Sequence, residues 1–410
     1  MEGATGPEGK GLFPALVLLT GLLNKADVVI VGAGVHGASL AFNLLRMEAG
    51  KIVIVEKANV GAGATGRSAS FIRHHYSNEI CVEIVKESRR IFASFEEEVG
   101  IPVDFQPQPL LLLAGPEHEE ALKHNVAMHR RLGVDVQTMV PAEARGAYPY
   151  LDLEGITLAA LERDAGYGDA YEVNMAYATE VKEMGGTVLT DTEVLSIRVR
   201  SGKARGVVTT RGSIEADVVV LAAGPWSSKL GKTAGIDVPV EPALLSLGVL
   251  LPPGDVRESP MAFDMTTATY WRPERSGTLL VGTDEEVGGT WDPDGLPEGV
   301  SFDFVSAVSE RLGQRWPEMK DAHFVRGWVG ADGATPDMHP IIGPAPTVDG
   351  LYLATGFSGH GFKFGPAVGK CLAELITDGS YRTLDLTPFG LERFALGRTF
   401  KSRYPMAVVQ

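Results

Sequence analysis

DVVIVGAGVHGASLAFNLLRMEAGKIVIVE, residues 27–56, decides the fold. Residues 27–31 are a short β-branched run that stops at Gly32. A helical pattern follows over 35–47, and a second β-branched run, 51–55, ends at Glu56. A strand, a glycine-rich turn, a helix and a strand within about 30 residues predict a βαβ unit. Such a unit needs a right-handed crossover and a parallel sheet with both faces covered.

The turn reads Gly32-Ala33-Gly34-Val35-His36-Gly37, a GxGxxG that follows a strand and opens a helix. Glu56 stands 19 positions after Gly37, close to the roughly 20 expected of a ribose-binding acid. Gly32 permits the tight turn, Gly34 lets backbone N–H groups approach a pyrophosphate, and Gly37 permits close helix–strand packing. The helix N-terminus then faces the phosphate charge. This pattern predicts a dinucleotide site and leaves FAD and NAD equally open. The stretch GAGATGRSAS, 61–70, has small and hydroxyl residues that suit chain lying along a long ligand, where a simple NAD domain would place a helix.

Outward from this unit, the pattern predicts a long amphipathic helix over 78–98, extended chain over 102–113 and a helix over 116–132. A further helix is predicted over 169–184, with Gly185-Gly186 as its stop. Extended runs follow at 188–199, 204–210 and 213–221, and 238–281 is strand-rich. A helix is expected over 302–312, an irregular Gly/Pro segment over 328–342, a strand over 350–354 and a helix from about Pro366 to 377. Three short strands end at glycine-bearing turns, at Gly32, Gly224 and Gly356. Ligands of open α/β sheets sit beyond such strand ends. The expectation is an α/β chain with a discontinuous Rossmann-like nucleotide domain from about 25–100, 165–235 and 330–380. Segments 101–164 and 236–329 would form an α+β second domain on a mostly antiparallel sheet, with 381–410 a C-terminal tail.

Composition bounds the rest. The 410 residues are 44% hydrophobic and 22% charged, which suits a folded chain with a large core. Two cysteines, Cys81 and Cys371, exclude a disulfide scaffold, a Cys-rich zinc site and an iron–sulfur cluster, and no metal is expected. The net charge of −15 weighs against nucleic acid and anionic membranes as partners, but not against a small anion held by local cations. The apolar run at 11–23 is shorter than the roughly 20 residues of a membrane span. Asn24-Lys25-Ala26 makes a poor cleavage site. Residues 1–24 therefore read as an extension, and the protein as soluble and cytoplasmic.

Four segments together resemble the D-amino-acid-oxidase superfamily of FAD amine oxidoreductases, in particular its sarcosine oxidase group: VVIVGAGVHGASLAFNL with IVIVEK, ATGRSASFIRHHY, ADVVVLAAGPWS, and TPDMHPIIGPAP…GLYLATGFSGHGFKFGPAVG. They span about 27–375. The resemblance implies an FAD domain with a sheet-based domain over the isoalloxazine face. It implies FAD contacts from Gly32, Gly34, Val35, His36, Gly37, Glu56, Lys57, Thr65, Gly66, Ser68, Ala69, Val194, Ala223, Gly224, Trp226, Gly359, His360, Gly361, Phe362 and Lys363. It also implies that Arg73 and Lys363 clamp the carboxylate of a small amino acid, with Tyr270 lining the substrate site. Arg grips a carboxylate bidentately and Lys adds a point charge. Bland alternatives are a surface or phosphate-contacting Arg73, a core Tyr270 and a solvated Lys363. His74 and His75 are adjacent, so at most one of them faces the site.

Two departures matter. Some sarcosine oxidases attach FAD through a Cys shortly before TPD. Here Gly330 stands about there, so the FAD is expected to be non-covalent. The oxidases also carry a Lys that assists reaction with oxygen, and Leu280 falls near that position. The implied activity is oxidation of a small secondary amino acid such as sarcosine, with oxygen or another electron acceptor. Proline, glycine or D-amino-acid dehydrogenation is an alternative, and a non-catalytic flavin-binding assembly protein is a third. The sequence does not give the oligomeric state.

Overall fold

The structure is a computed structural model and describes residues 24–283 and 291–404. The expected extension at 1–24 lies outside these residues, apart from Asn24.

The βαβ unit forms as Val28–Val31, helix Val35–Arg46 and Ile52–Val55. Its strands lie in a six-stranded sheet. From one edge the order is Ile341–Pro344, Leu351–Thr355, Val218–Leu221, Val28–Val31, Ile52–Val55 and Thr187–Leu189. All neighbours are parallel except the first pair. Val31 is level with both Leu221 and Val55, so the Gly32 turn opens where three strands end.

Strand alternation divides the buried residues between two faces. Val28 and Ile30 join the core beneath helices Val35–Arg46, Ala170–Glu183 and Gly361–Asp378, whereas Val29 and Val31 join Ile197 and Val207 of a small antiparallel sheet. The helices approach closely. A Cβ on Gly369 would stand 2.3 Å from Ser39 Oγ, and one on Gly365 would stand 2.5 Å from Val35 Cγ2.

An eight-stranded sheet forms the other half. Its order is His323–Ala334, Glu241–Leu251, Leu279–Thr283, Thr269–Pro273, Met261–Asp264, Leu110–Ala114, Leu158–Glu162 and Val136–Met139. One neighbouring pair, Met261–Asp264 with Leu110–Ala114, is parallel. Leu111 and Leu113 pack with Val308 and Leu312 of helix Phe302–Arg315, while Leu110 and Leu112 face the first core.

Five expectations are corrected. The helix over 78–98 is two, Glu79–Ala93 and Phe95–Val99. Ser94 leaves helical geometry (φ −123°, ψ 36°), and its hydroxyl donates to the Arg90 carbonyl at 3.0 Å, a back-bond that bends helices. The run 188–199 divides at Asp191 (φ 49°), where Asp191 N and Thr192 N donate to Ala58 O and Glu56 O. The first piece joins the parallel sheet and the second the small one. The run 213–221 likewise splits into Gly212–Ile214 and Val218–Leu221. Residues 328–334 are not irregular. They belong to the twelve-residue strand His323–Ala334, which pairs along Glu241–Leu251 and so carries the second sheet past residue 330. Its glycines serve close approach: a Cβ on Gly333 would meet Gly224 C at 3.2 Å, and one on Gly330 would meet Arg67 Cβ at 3.0 Å. The last helix starts at Gly361, five residues before Pro366. Pro366 marks no helix start and lies one and a half turns inside.

The tail also packs. Leu386 and Phe389 are fully buried, and the Arg393 guanidinium donates to both carboxylate oxygens of Asp337 at 2.8 Å. Among the described residues no helix is long and apolar enough to cross a membrane.

Candidate active site

A cavity of about 580 Å³ opens between the two sheets, at the carboxyl ends of the parallel strands. One end is built on the first turn. The Glu56 carboxylate accepts from Ala33 N at 2.8 Å and from Ala58 N at 2.9 Å, which fixes it at the strand end with lone pairs to spare. Gly34 caps helix Val35–Arg46 in extended geometry, and the Thr65 hydroxyl accepts from Val35 N at 3.1 Å. Asn174 donates to Ala33 O at 2.8 Å and holds the turn from below. Lys57 pairs with Asp294 and lies 4.6 Å from the centre of the Trp226 ring, whose Nε1 donates to Asp294 at 3.0 Å.

The other end carries the cations. Arg73 follows the two-residue strand Phe71–Ile72 and is 3% exposed. Its guanidinium donates to the His75 carbonyl and lies 4.8 Å from the Tyr76 ring centre. Lys363, in the first turn of helix Gly361–Asp378, is 5% exposed and 6.0 Å from the same ring. Burial, then the Arg73 charge, push the Lys363 amine well below its ordinary value, and Asp332 partly offsets them. Lys363 Nζ donates to Gly359 O at 3.4 Å, while Gly359 N donates to the Asp332 carboxylate. Desolvation pushes the Asp332 carboxyl up, although Gly359 N, Gly333 N and Lys363 pull the other way.

Tyr270 is buried at the cavity wall. It stacks on Phe263 with centres 5.8 Å apart and meets Phe71 edge-on at 5.8 Å. Its ring lies over Gly282, where a Cβ would stand 2.3 Å from Tyr270 Cζ. His36 stacks on Phe357 at 3.4 Å, and burial lowers its pKa to about 3, so it is neutral.

Of the residues expected at the site, Gly32, Gly34, Val35, His36, Glu56, Lys57, Thr65, Ser68, Ala69, Arg73, Val194, Ala223, Gly224, Trp226, Tyr270, Gly359, Gly361, Phe362 and Lys363 all line this one cavity. Gly37, Gly66 and His360 do not line it. Gly37 and Gly66 are packing positions: a Cβ would stand 2.0 Å from Gly32 O and 2.5 Å from Gly61 O respectively. His360 points into the core, with Nδ1 3.1 Å from Tyr76 Oη. His74 and His75 are buried behind Arg73, His74 against Glu162 at 2.8 Å and His75 against Tyr404 at 3.0 Å. Neither His74 nor His75 lines the cavity.

Sequence reasoning missed Arg67, Leu245, Leu247, Phe263, Asp294 and Asp332, all of which line it. Asp332 had a signal, a lone acid in the small-residue run Gly330-Ala331-Asp332-Gly333-Ala334. The leucines had only strand alternation. Among the described residues no group of three or more His, Cys, Asp or Glu is placed to hold a metal.

The cavity suits a dinucleotide. A carboxylate stands at one end and cations at the other, with a glycine turn and a helix N-terminus between them. A Cβ on Gly224 or Gly359 would meet nothing within 4 Å, so backbone is bared to the cavity. The sequence profile of the FAD dependent oxidoreductase family matches residues 27–375. The chain belongs to this family and is an FAD-dependent oxidoreductase. It is 30% identical to sarcosine oxidase subunit beta of Rhodobacter capsulatus, over 91% of this chain and 90% of that one. It is 31% identical to mouse FAD-dependent oxidoreductase domain-containing protein 1, over 91% and 85%. The crystal structure of L-proline dehydrogenase from P. horikoshii superposes with a TM-score of 0.86 at 30% identity, covering 92% of this chain and all of that one.

Proposed function

We propose that this chain oxidises a small secondary amino acid, with sarcosine as the type substrate. The observation that carries the reading is that Arg73 and Lys363 line one cavity, 4.8 and 6.0 Å from the centre of the same Tyr76 ring. Two buried basic side chains facing one cavity make a site for a small carboxylate, the Arg fork gripping it and the Lys adding a point charge. Arg73 and Lys363 bind the substrate carboxylate. Tyr270, braced by Phe263 and Phe71, closes the apolar side and excludes water. Bound FAD supplies a hydride acceptor for the substrate C–H bond, and the resulting imine hydrolyses in water to aldehyde and amine. The clamp contributes orientation, which alone can be worth several orders of magnitude in rate. Gly32, Gly34 and Glu56 would hold the FAD pyrophosphate and ribose. Gly359, Gly361 and Lys363 would face the flavin ring.

Non-covalent attachment is supported by Gly330 lining the cavity and by burial of both cysteines away from it. A second reading, a dehydrogenase acting on proline or a related amino acid with another acceptor, is favoured by Leu280. That residue is 2% exposed and apolar where an oxygen-assisting Lys would stand. With oxygen as acceptor the second product would be hydrogen peroxide.

The test is anaerobic titration of the holoprotein with sarcosine, N-methylalanine, proline, glycine and D-alanine, followed by admission of oxygen. Bleaching by an N-alkyl amino acid supports the reading, and fast recovery in air marks an oxidase. A bound flavin that no amino acid bleaches overturns it in favour of a non-catalytic role.

A further inference from the structure

We propose that Asp332 takes the proton from the substrate's ammonium group, so that the amine reaches the flavin as the free base. The inference rests on the amino-acid oxidation proposed above. A zwitterion cannot give up hydride readily while its nitrogen lone pair is protonated, so an acceptor is needed beside the carboxylate clamp. Four carboxylates line the cavity among the described residues: Glu56, Glu193, Asp294 and Asp332. Glu56 is held by backbone at its end of the cavity, Glu193 follows Thr192, whose N–H donates to Glu56 O, and Asp294 is paired with Lys57. Asp332 is the one at the cation end. It shares Gly359 with Lys363: the residue's N–H donates to Asp332 and its carbonyl accepts from Lys363. In an α-amino acid one carbon separates carboxylate from nitrogen. A carboxylate on Lys363 and Arg73 therefore leaves the nitrogen beside Asp332.

The histidines are otherwise engaged. His36 is stacked on Phe357 and neutral, His360 faces Tyr76, and His74, His75 and His129 bond Glu162, Tyr404 and the Tyr76 carbonyl. Among the described residues, the charged groups facing Asp332 are Lys363 and, beyond it, Arg73. Arg67 packs against Gly330 on the same strand, and His36 lies under Gly361. Desolvation already outweighs the groups that favour the Asp332 carboxylate, and a substrate carboxylate beside Lys363 and Arg73 adds negative charge that makes Asp332 a better base. The proton moves from nitrogen to Asp332. No electrons move in this step, and the nitrogen keeps the freed pair.

The test compares wild type with Asp332→Asn as holoproteins, following anaerobic flavin bleaching by the best amino acid from about pH 6.5 to 10. Affinity for (methylthio)acetate, which has the carboxylate but no amine, is measured alongside by flavin absorbance. The Asn variant should bleach about 10²-fold more slowly near pH 7 and approach the wild-type rate as the substrate's own ammonium deprotonates. Its affinity for (methylthio)acetate should stay within about twofold. Asp332→Glu should recover most of the low-pH rate. An Asn variant equal to wild type at every pH, a loss that is the same at every pH, or equal weakening of the amine-free ligand overturns the proposal. If the Asn variant does not hold flavin, Asp332→Ser is read against the same criteria. If wild type bleaches and the variants track it, Asp332 alone is wrong. If no amino acid bleaches wild type, the proposed function falls and this inference with it.

Discussion

Arg73 and Lys363 are basic groups taken out of water, and the Arg73 charge makes the Lys363 ammonium harder to keep. Hydrogen bonds to a charged partner contribute about 1.5–3 kcal/mol. Arg73→Lys keeps the charge but loses the planar fork, so dissociation constants of small carboxylates should rise about 10- to 100-fold while flavin stays bound. A flavin-perturbation titration checks this. Lys363 also predicts proton uptake. Its amine is pushed well below 10.5 by burial and by Arg73, so the cavity disfavours the ammonium form. A bound carboxylate favours that form and raises the value again, and protons are taken up as the ligand binds. Calorimetry in buffers of different ionisation enthalpy reads the sign; proton release would contradict it. The sequence could show that Arg73 and Lys363 suited a clamp, because their residue types and flanking motifs are local. Asp332 carried only the faint signal of a lone acid among small residues, because such an acid acquires a role only when another segment folds against it.

At the scale of elements, the site depends on how closely backbone can approach backbone. Gly37 lines nothing, yet a Cβ there would stand 2.0 Å from Gly32 O. Gly37→Ala should cost about 1–3 kcal/mol by overpacking and reduce flavin content. Urea denaturation and the flavin-to-protein absorbance ratio measure both. Segment 71–76, which carries Arg73, is held from behind by Glu162, which accepts from His74 N at 2.7 Å and faces His74 Nδ1 at 2.8 Å. Burial pushes the Glu162 carboxyl up, but the His74 hydrogen bonds and charge outweigh it, leaving it below its ordinary 4.5. A depressed carboxyl stabilises the fold fully above its unfolded value. That stability is lost as pH falls through the folded value. Glu162→Ala should cost about 3 kcal/mol, flatten that acid limb and loosen carboxylate binding; an unchanged acid limb in urea midpoints would contradict the assignment. The βαβ unit was legible because period, caps and glycine spacing all lie within thirty residues. The strand His323–Ala334 was not, because its glycines resemble loop composition and their reason lies across the chain at Arg67 and Gly224. The start of the last helix was misplaced because Pro366 imitates a first-turn proline.

The described residues place their two largest sheets, of six and eight strands, around the site cavity, and the elements were readable in the sequence where hydrophobic period was strong. Their pairing order was not, since non-local contacts leave no local mark. A ligand that touches both halves stabilises both by mass action, about 2.7 kcal/mol at a hundredfold excess over its dissociation constant. Added FAD should raise the melting temperature of apoprotein in one transition, followed together by far-ultraviolet dichroism and tryptophan emission. Two separate transitions would show that the halves melt independently. Acid precipitation should leave the yellow colour in the supernatant, and a coloured pellet would mean a covalent link. One joint between the halves has a wider reach. Trp328 Nε1 donates to Arg67 O at 3.1 Å, and Gly330 lies flat against the Arg67 stem, so a strand of the eight-stranded sheet clasps the loop expected to lie along the cofactor. The two halves are thus not interchangeable parts. A hybrid enzyme grafting a foreign eight-stranded sheet onto this Rossmann-like half must import strand and loop as a matched set. Leu245 and Leu247 pair directly with Gly330 and Trp328, so retailoring of specificity within one chain is better confined to Phe263, on a strand outside that joint.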